Sequence, residues 1–206
     1  MAQTNVIRNI IFDLGGVVID IDLNRTFVQM AELGIDNMAE YVTRYGGDGF
    51  AESFQTGKLT DDEFIAKVQQ LSTRTISRAQ IEMAWNAMIL DYEQDRIDQL
   101  KALKSRYRTF VLSNTNIIHY HNFAFRVPGE NHIDNLFEKT YYSHEIGFSK
   151  PSAEAYLHVL NDAGLNPHET LFLDDSMANV TAAQQLGMQA RVVTYGREWL
   201  EWLKIY

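Results

Sequence analysis

The chain has 206 residues, with 18 Lys plus Arg against 27 Asp plus Glu, a formal net charge of -9 and no cysteine. This balance argues against nucleic-acid binding and against an anionic membrane surface, both of which draw on clustered Lys and Arg. Without cysteine there are no disulfides, thiolate metal sites or thiol nucleophiles. Met1 to Arg8 is polar and no apolar run approaches the roughly 20 residues of a membrane span, so a cytoplasmic location is expected.

In chain order, Asn9-Ile10-Ile11-Phe12 is a short apolar run of the kind that forms a buried parallel strand, and it ends at Asp13. Residues 23 to about 90 then show helical periodicity and no convincing strand. Helices are expected over Asn24–Leu33 and Asn37–Tyr45, each ending at glycine. Thr60 with Glu63 forms a capping box that opens a helix to about Leu71, and Ser77 opens another to about Leu90. A helix over Asp91–Ser105 leads into a second strand, Arg108–Leu112, ending at Ser113. Lys139–Ser143 is a weaker strand. Ser152 is placed to cap a helix that closes at Gly164. A strong strand, Thr170–Leu173, ends at Asp174-Asp175. A helix over Ala178–Leu186 and a weak strand, Gln189–Val193, follow. Strands alternating with helices imply right-handed crossovers and a parallel sheet, interrupted by one helical insertion.

In open parallel sheets, ligands bind at the carboxyl ends of the strands. Those ends carry Asp13, Ser113 with Asn114, and Asp174 with Asp175, while Lys150 opens a helix after the fourth strand. Three carboxylates brought together repel unless a cation neutralises them. The available ligands are all oxygen, which favours a hard ion such as Mg2+. Carboxylates, Mg2+, a lysine and a hydroxyl-amide turn suit phosphoryl transfer, which needs in-line positioning and neutralised oxygens. An aspartate, ionised at pH 7, can attack phosphorus and form an acyl phosphate. Each feature also has a plainer reading. Asp13 suits a helix cap, Asp174-Asp175 a solvated turn, and Asp20 and Asp22 the exposed side of a strand.

The pattern resembles the haloacid dehalogenase-like hydrolase superfamily. Phe12-Asp13-Leu14-Gly15-Gly16-Val17 is similar to its first motif, Leu112-Ser113-Asn114-Thr115 to the second, Lys150-Pro151 to the third, and Phe172-Leu173-Asp174-Asp175-Ser176 to the fourth. Four motifs in order, each at a strand end or helix start, are far more specific than any one of them. The likeness is nearest to bacterial sugar-phosphate phosphatases of the alpha-D-glucose-1-phosphate type. It implies an α/β, Rossmann-like three-layer sandwich with a central, mostly parallel sheet and a small inserted helical-bundle cap. The core would span residues 1–22 and 91–206, and the cap 23–90. It implies Asp13 as nucleophile, Lys150 as its catalytic partner, and Ser113 and Asn114 as phosphate ligands. Mg2+ would be held by Asp13, Asp175, Asp174 and the carbonyl of Gly15. The expected partner is a small phosphorylated metabolite, a sugar phosphate in the first instance, taken by a monomer or homodimer. Asp22, Asn24, Arg25, Arg44, Trp85, Asn86 and Asn116 are the candidates for substrate contacts.

One residue departs from the family pattern. Gly15 stands where most phosphatases of the superfamily carry a second Asp as general acid and base, a role typically worth about a hundred- to ten-thousand-fold. Asp20, Asp22, His119 and His121 are the candidate replacements. A 2-haloacid dehalogenase, in which Asp13 attacks carbon without a metal, is the alternative enzyme. A binding or regulatory member that lost turnover at Gly15 is the alternative outside catalysis. Tyr120, Phe123 and Phe125 are expected to pack as a loop against the core, and Trp199 and Trp202 to pack the final helix.

Overall fold

The computed structural model describes residues 6–38, 40 and 49–204. Five strands form one parallel sheet: β1 (Asn9–Phe12), β4 (Arg108–Ser113), β5 (Lys139–Tyr142), β6 (Thr170–Asp174) and β7 (Gln189–Val192), in the order β5-β4-β1-β6-β7. The two strands with the weaker sequence signals lie at the edges. In the central strands, successive side chains enter opposite apolar layers, as the two-residue period of a strand requires. Ile10, Phe12, Val111, Leu171 and Leu173 face one layer; Ile11, Phe110, Leu112 and Phe172 face the other. Helices α5 (Gln94–Leu103), α6 (Ile117–Phe123) and α10 (Glu198–Trp202) cover the first layer, and α8 (Ala153–Asp162) and α9 (Met177–Gln185) the second. The expected three-layer α/β sandwich is present.

Helices α1 (Leu23–Glu32), α2 (Phe50–Gln55), α3 (Asp61–Leu71) and α4 (Arg78–Asn86) lie between β1 and α5 and share their own apolar cluster, built on Met30, Phe54, Phe64, Val68, Ile81 and Trp85. The Thr60–Glu63 capping box opens α3, and Ser77 with Gln80 opens α4 in the same way. The expected helix Asn37–Tyr45, and Arg44 with it, falls mostly outside the described residues.

Four expectations need correction. The segment to Leu90 is not all helix. α4 stops at Asn86, and β3 (Ile89–Tyr92) pairs antiparallel with β2 (Ile19–Ile21), so α5 begins at Gln94 rather than Asp91. Each of these strands supplies the backbone partners of the other, and neither is long enough to be recognised alone. The ribbon sets the two ends of the insertion side by side. Secondly, Ser152 precedes α8 without a side-chain capping bond. Thirdly, residues Ile117 to Phe123 form a helix, and Phe125 is 63% exposed rather than packed. Lastly, Asp22 is a helix cap, its Oδ1 accepting from Asn24 N at 3.1 Å. Trp199 meets the expectation: it is fully buried, edge-on to Phe12 with ring centroids 5.2 Å apart.

Candidate active site

Strand register brings the carboxylates together. Phe12 lies opposite Leu173 in the parallel ladder, and the next backbone bond runs from Asp13 N to Leu173 O at 2.8 Å, so Asp13 stands beside Asp174. Oxygens of Asp13, Asp174 and Asp175 can all lie within 4.8 Å of one another. Lys150 Nζ bridges two of the three, at 2.8 Å from Asp13 Oδ1 and 2.7 Å from Asp174 Oδ2. Its side chain is 1% exposed. Asp13 Oδ1 also accepts from Leu14 N at 2.7 Å. Asp174 is fully engaged: Ser176 N and Asn179 Nδ2 donate to Oδ1, and Asn179 Nδ2 and Lys150 to Oδ2.

Burial pushes the Asp13 carboxyl up to about 7; Lys150 opposes this, and Asp174 and Asp175 reinforce it. Asp175 is also raised, by desolvation first and by Asp174 second. Burial alone would pull Lys150 down, but Asp13 and Asp174 outweigh it and hold the ammonium above its ordinary value. Three carboxylates against one ammonium leave two negative charges uncompensated. The all-oxygen donor set therefore fits one hard divalent cation. It is the one cluster of three or more His, Asp or Glu of that kind among the described residues.

The turn after Asp13 separates two glycines. Gly16 has φ +72°, and a Cβ there would lie 2.6 Å from Asp175 Oδ2, so only glycine lets this turn approach Asp175. A Cβ at Gly15 would meet only Ile21 side-chain carbons at 3.4 Å, ordinary contact. Position 15 has room for a Cβ and lacks one.

A family model for haloacid dehalogenase-like hydrolases matches residues 7–187. The chain belongs to that family. D-ribitol-5-phosphate phosphatase of Bacteroides thetaiotaomicron is 28% identical over 204 residues, covering 97% of this chain and 98% of that protein. Among solved structures, a haloacid dehalogenase family enzyme of Bacteroides thetaiotaomicron, an aspartate-to-alanine mutant in complex with magnesium and inorganic phosphate, superposes with a TM-score of 0.90 at 33% identity, covering 96% of this chain and 98% of that one. A predicted hydrolase of the same family from Porphyromonas gingivalis gives 0.89 at 29% identity, with 97% of each chain covered. The resemblance carried by the four motifs is thereby borne out, and this chain is a hydrolase of the family.

In this hydrolase the remaining candidate residues fall into distinct places. Ser113 is buried at the end of β4, and its hydroxyl makes no hydrogen bond among the described residues. Asn114 holds the lysine's backbone: its Nδ2 donates to Lys150 O and its Oδ1 accepts from Lys150 N, both at 2.8 Å. The amide keeps a second N–H beyond that pair. Asn116 is fully buried as the cap of α6; its Oδ1 accepts from His119 N and its Nδ2 donates to His119 Nδ1. That leaves Nε2–H of His119 to donate to Trp85 O at 3.0 Å. Burial pulls His119 down to about 4, opposed by the Trp85 carbonyl, so it stays neutral. Trp85 is 2% exposed, inside the insertion's apolar cluster and stacked on His119. Arg25 and Asn86 line a groove of about 520 Å³ with Gln29, Met83, Asn122 and Arg126, which holds none of the four motif residues. Sequence reasoning missed Asn179, Ser143 and Ser149. The available signal for Asn179 was an amide one turn into the helix after Asp174-Asp175.

Proposed function

We propose that this hydrolase is a Mg2+-dependent phosphatase of a small phosphorylated metabolite, a sugar or polyol phosphate, acting through an aspartyl-phosphate on Asp13. The observation that carries this reading is the arrangement of Lys150 between Asp13 and Asp174, with Asp175 adjacent and still open to a cation. Asp13, Asp175 and the Gly15 carbonyl would hold the ion, with Asp174 supporting the set because its oxygens are already occupied. When bound, Mg2+ supplies positive charge against the phosphoryl oxygens.

The chain's own residues do the rest. Asp13 attacks phosphorus, and the bond to the departing alcohol breaks. Ser113 donates to a phosphoryl oxygen, and Lys150 screens the incoming charge from the carboxylates. Asn114 keeps Lys150 in place through its backbone. The segment 23–90 acts as a cap over a core of 1–22 and 91–206, selecting the substrate and excluding water. No helix among the described residues is long and apolar enough to cross a membrane. The similarity to a D-ribitol-5-phosphate phosphatase over nearly the whole chain supports the same substrate class.

The test is phosphate release from a panel of sugar and polyol phosphates, with Mg2+ and with EDTA, and mass detection of phosphorylated Asp13. Release that needs Mg2+ is expected. A panel with no release would overturn the reading, and halide release that survives EDTA would replace it with the dehalogenase one.

A further inference from the structure

Gly15 brings no side chain to the turn after Asp13, where the family pattern has a second Asp. The acid-base candidates nearest in sequence are committed elsewhere. Asp20 Oδ1 pairs with Arg96 Nη1 at 2.7 Å, and Asp22 caps α1 and faces Arg25 at 3.6 Å. Both ring nitrogens of His119 are engaged. His121 is exposed on α6, its ring 6.0 Å from that of Tyr120.

A different carboxylate is tied to the residue that precedes Lys150. Helix α2 of the insertion spans the second and third motifs. At its C-terminus the Gln55 carbonyl accepts from Ser143 Oγ at 2.6 Å, and that same oxygen accepts from Thr115 N at 2.9 Å. One turn earlier, on the same face, Glu52 Oε1 accepts from Ser149 Oγ at 2.6 Å, and Ser149 immediately precedes Lys150. Just beyond α2, Gly57 packs so closely that a Cβ there would lie 2.3 Å from the His144 carbonyl oxygen. The helix is therefore docked on the core, with Glu52 turned toward Ser149, the residue before Lys150. The second oxygen of Glu52 has no partner among the described residues.

Resting on the phosphatase reading above, we propose that Glu52 is the proton donor and acceptor that replaces the missing side chain at Gly15. As the bond from Asp13 to phosphorus forms and the bond from phosphorus to the alcohol oxygen breaks, the Glu52 carboxylic proton passes to that oxygen. Glu52, now a carboxylate, takes a proton from the water whose oxygen attacks the acyl phosphate. The bond from phosphorus to Asp13 breaks, releasing inorganic phosphate and restoring both carboxyl groups. Ser149 holds Glu52 between turnovers.

The test compares two leaving groups. One is p-nitrophenyl phosphate, whose phenolate departs without a proton. The other is whichever of glycerol 3-phosphate, ribitol 5-phosphate and glucose 1-phosphate the wild type turns over fastest, whose alkoxide needs one. In Glu52→Gln the kcat/KM ratio of aryl to alkyl phosphate rises about a hundredfold or more, with KM for the alkyl substrate within about threefold, the range expected when a general acid is removed. Adding Gly15→Asp to Glu52→Gln recovers at least about tenfold of the lost alkyl activity. The ratio is read in a variant that melts like the wild type, Glu52→Gln or, if that one misfolds, Glu52→Ala. An unmoved ratio, a loss confined to KM, which would mean hydroxyl recognition, or a double variant without recovery overturns the proposal while the phosphatase reading stands. A wild type that releases no phosphate from any of these substrates overturns both.

Discussion

Lys150 and Arg96 are both buried cations of the core, with side chains 1% and 3% exposed, and each contacts an aspartate at 2.7 Å. Lys150 faces two buried carboxylates with a third nearby, so its surroundings remain negative. Arg96 faces one, Asp20, which is 39% exposed and shares its charge with water. The first cluster is unbalanced and can take a further cation; the second is balanced and ties α5 to the ribbon at the base of the insertion. An ion pair serves as a strut where its charges cancel, and as a site where they do not.

Removing the nucleophile is the sharpest way to break this contrast. Asp13→Asn is expected to lower phosphate release by about ten-thousand-fold or more and to abolish the phosphorylated species in intact-protein mass spectra. Exchanging the cations comes next. Lys150→Met leaves Asp13 and Asp174 buried and facing each other, which costs about 3–5 kcal/mol by urea denaturation at pH 8, together with about 10²–10³-fold in kcat. Arg96→Met leaves only a half-solvated carboxylate and costs about 1–2 kcal/mol, with kcat changed by less than about threefold. Equal kcat losses in the two variants would erase the distinction.

The third test uses pH. Asp13 titrates near its ordinary 3.8 when unfolded and near 7 when folded, so between these values the folded state holds the extra proton. Metal-free stability contributed by this group therefore falls as the pH rises from about 4 through 7. Mg2+ binds the ionised form, so it should raise the melting temperature more at pH 8 than at pH 5. A Mg2+ effect independent of pH would place the ion elsewhere. The smallest effect belongs to the balanced, structural side. Thr60→Ala removes the α3 capping box and is expected to cost about 1 kcal/mol in stability, with kcat unchanged.

Much of the core was legible because its signals are local. Asn9–Phe12 and Thr170–Leu173 are apolar on both faces and end in the acids that matter, so strand, register and carboxylate could be read together. What stayed hidden depends on distant partners. The β2–β3 ribbon exists only as a pair. Nothing near Asn114 in sequence shows that its amide meets the Lys150 backbone, 36 residues away. Glu52 was passed over for the same reason, since Ser149 lies 97 residues from it. Trp85 and Asn116 carry polar atoms that invite a ligand, but burial, which periodicity does not report for single residues, places them in packing.

The indole of Trp199 donates to Val17 O at 3.1 Å, across 182 residues of chain. The turn that carries Asp13 is thus held from below by a helix made long after it. At about 5–20 residues per second on the ribosome, that support arrives roughly ten to forty seconds after the turn itself has been synthesised. Lys150 and Asp174 also come late in the chain. A nascent chain stalled before residue 199 would carry every motif and still lack the prop under its nucleophile. Activity is therefore expected to switch on once Trp199 is in place rather than to build up with length.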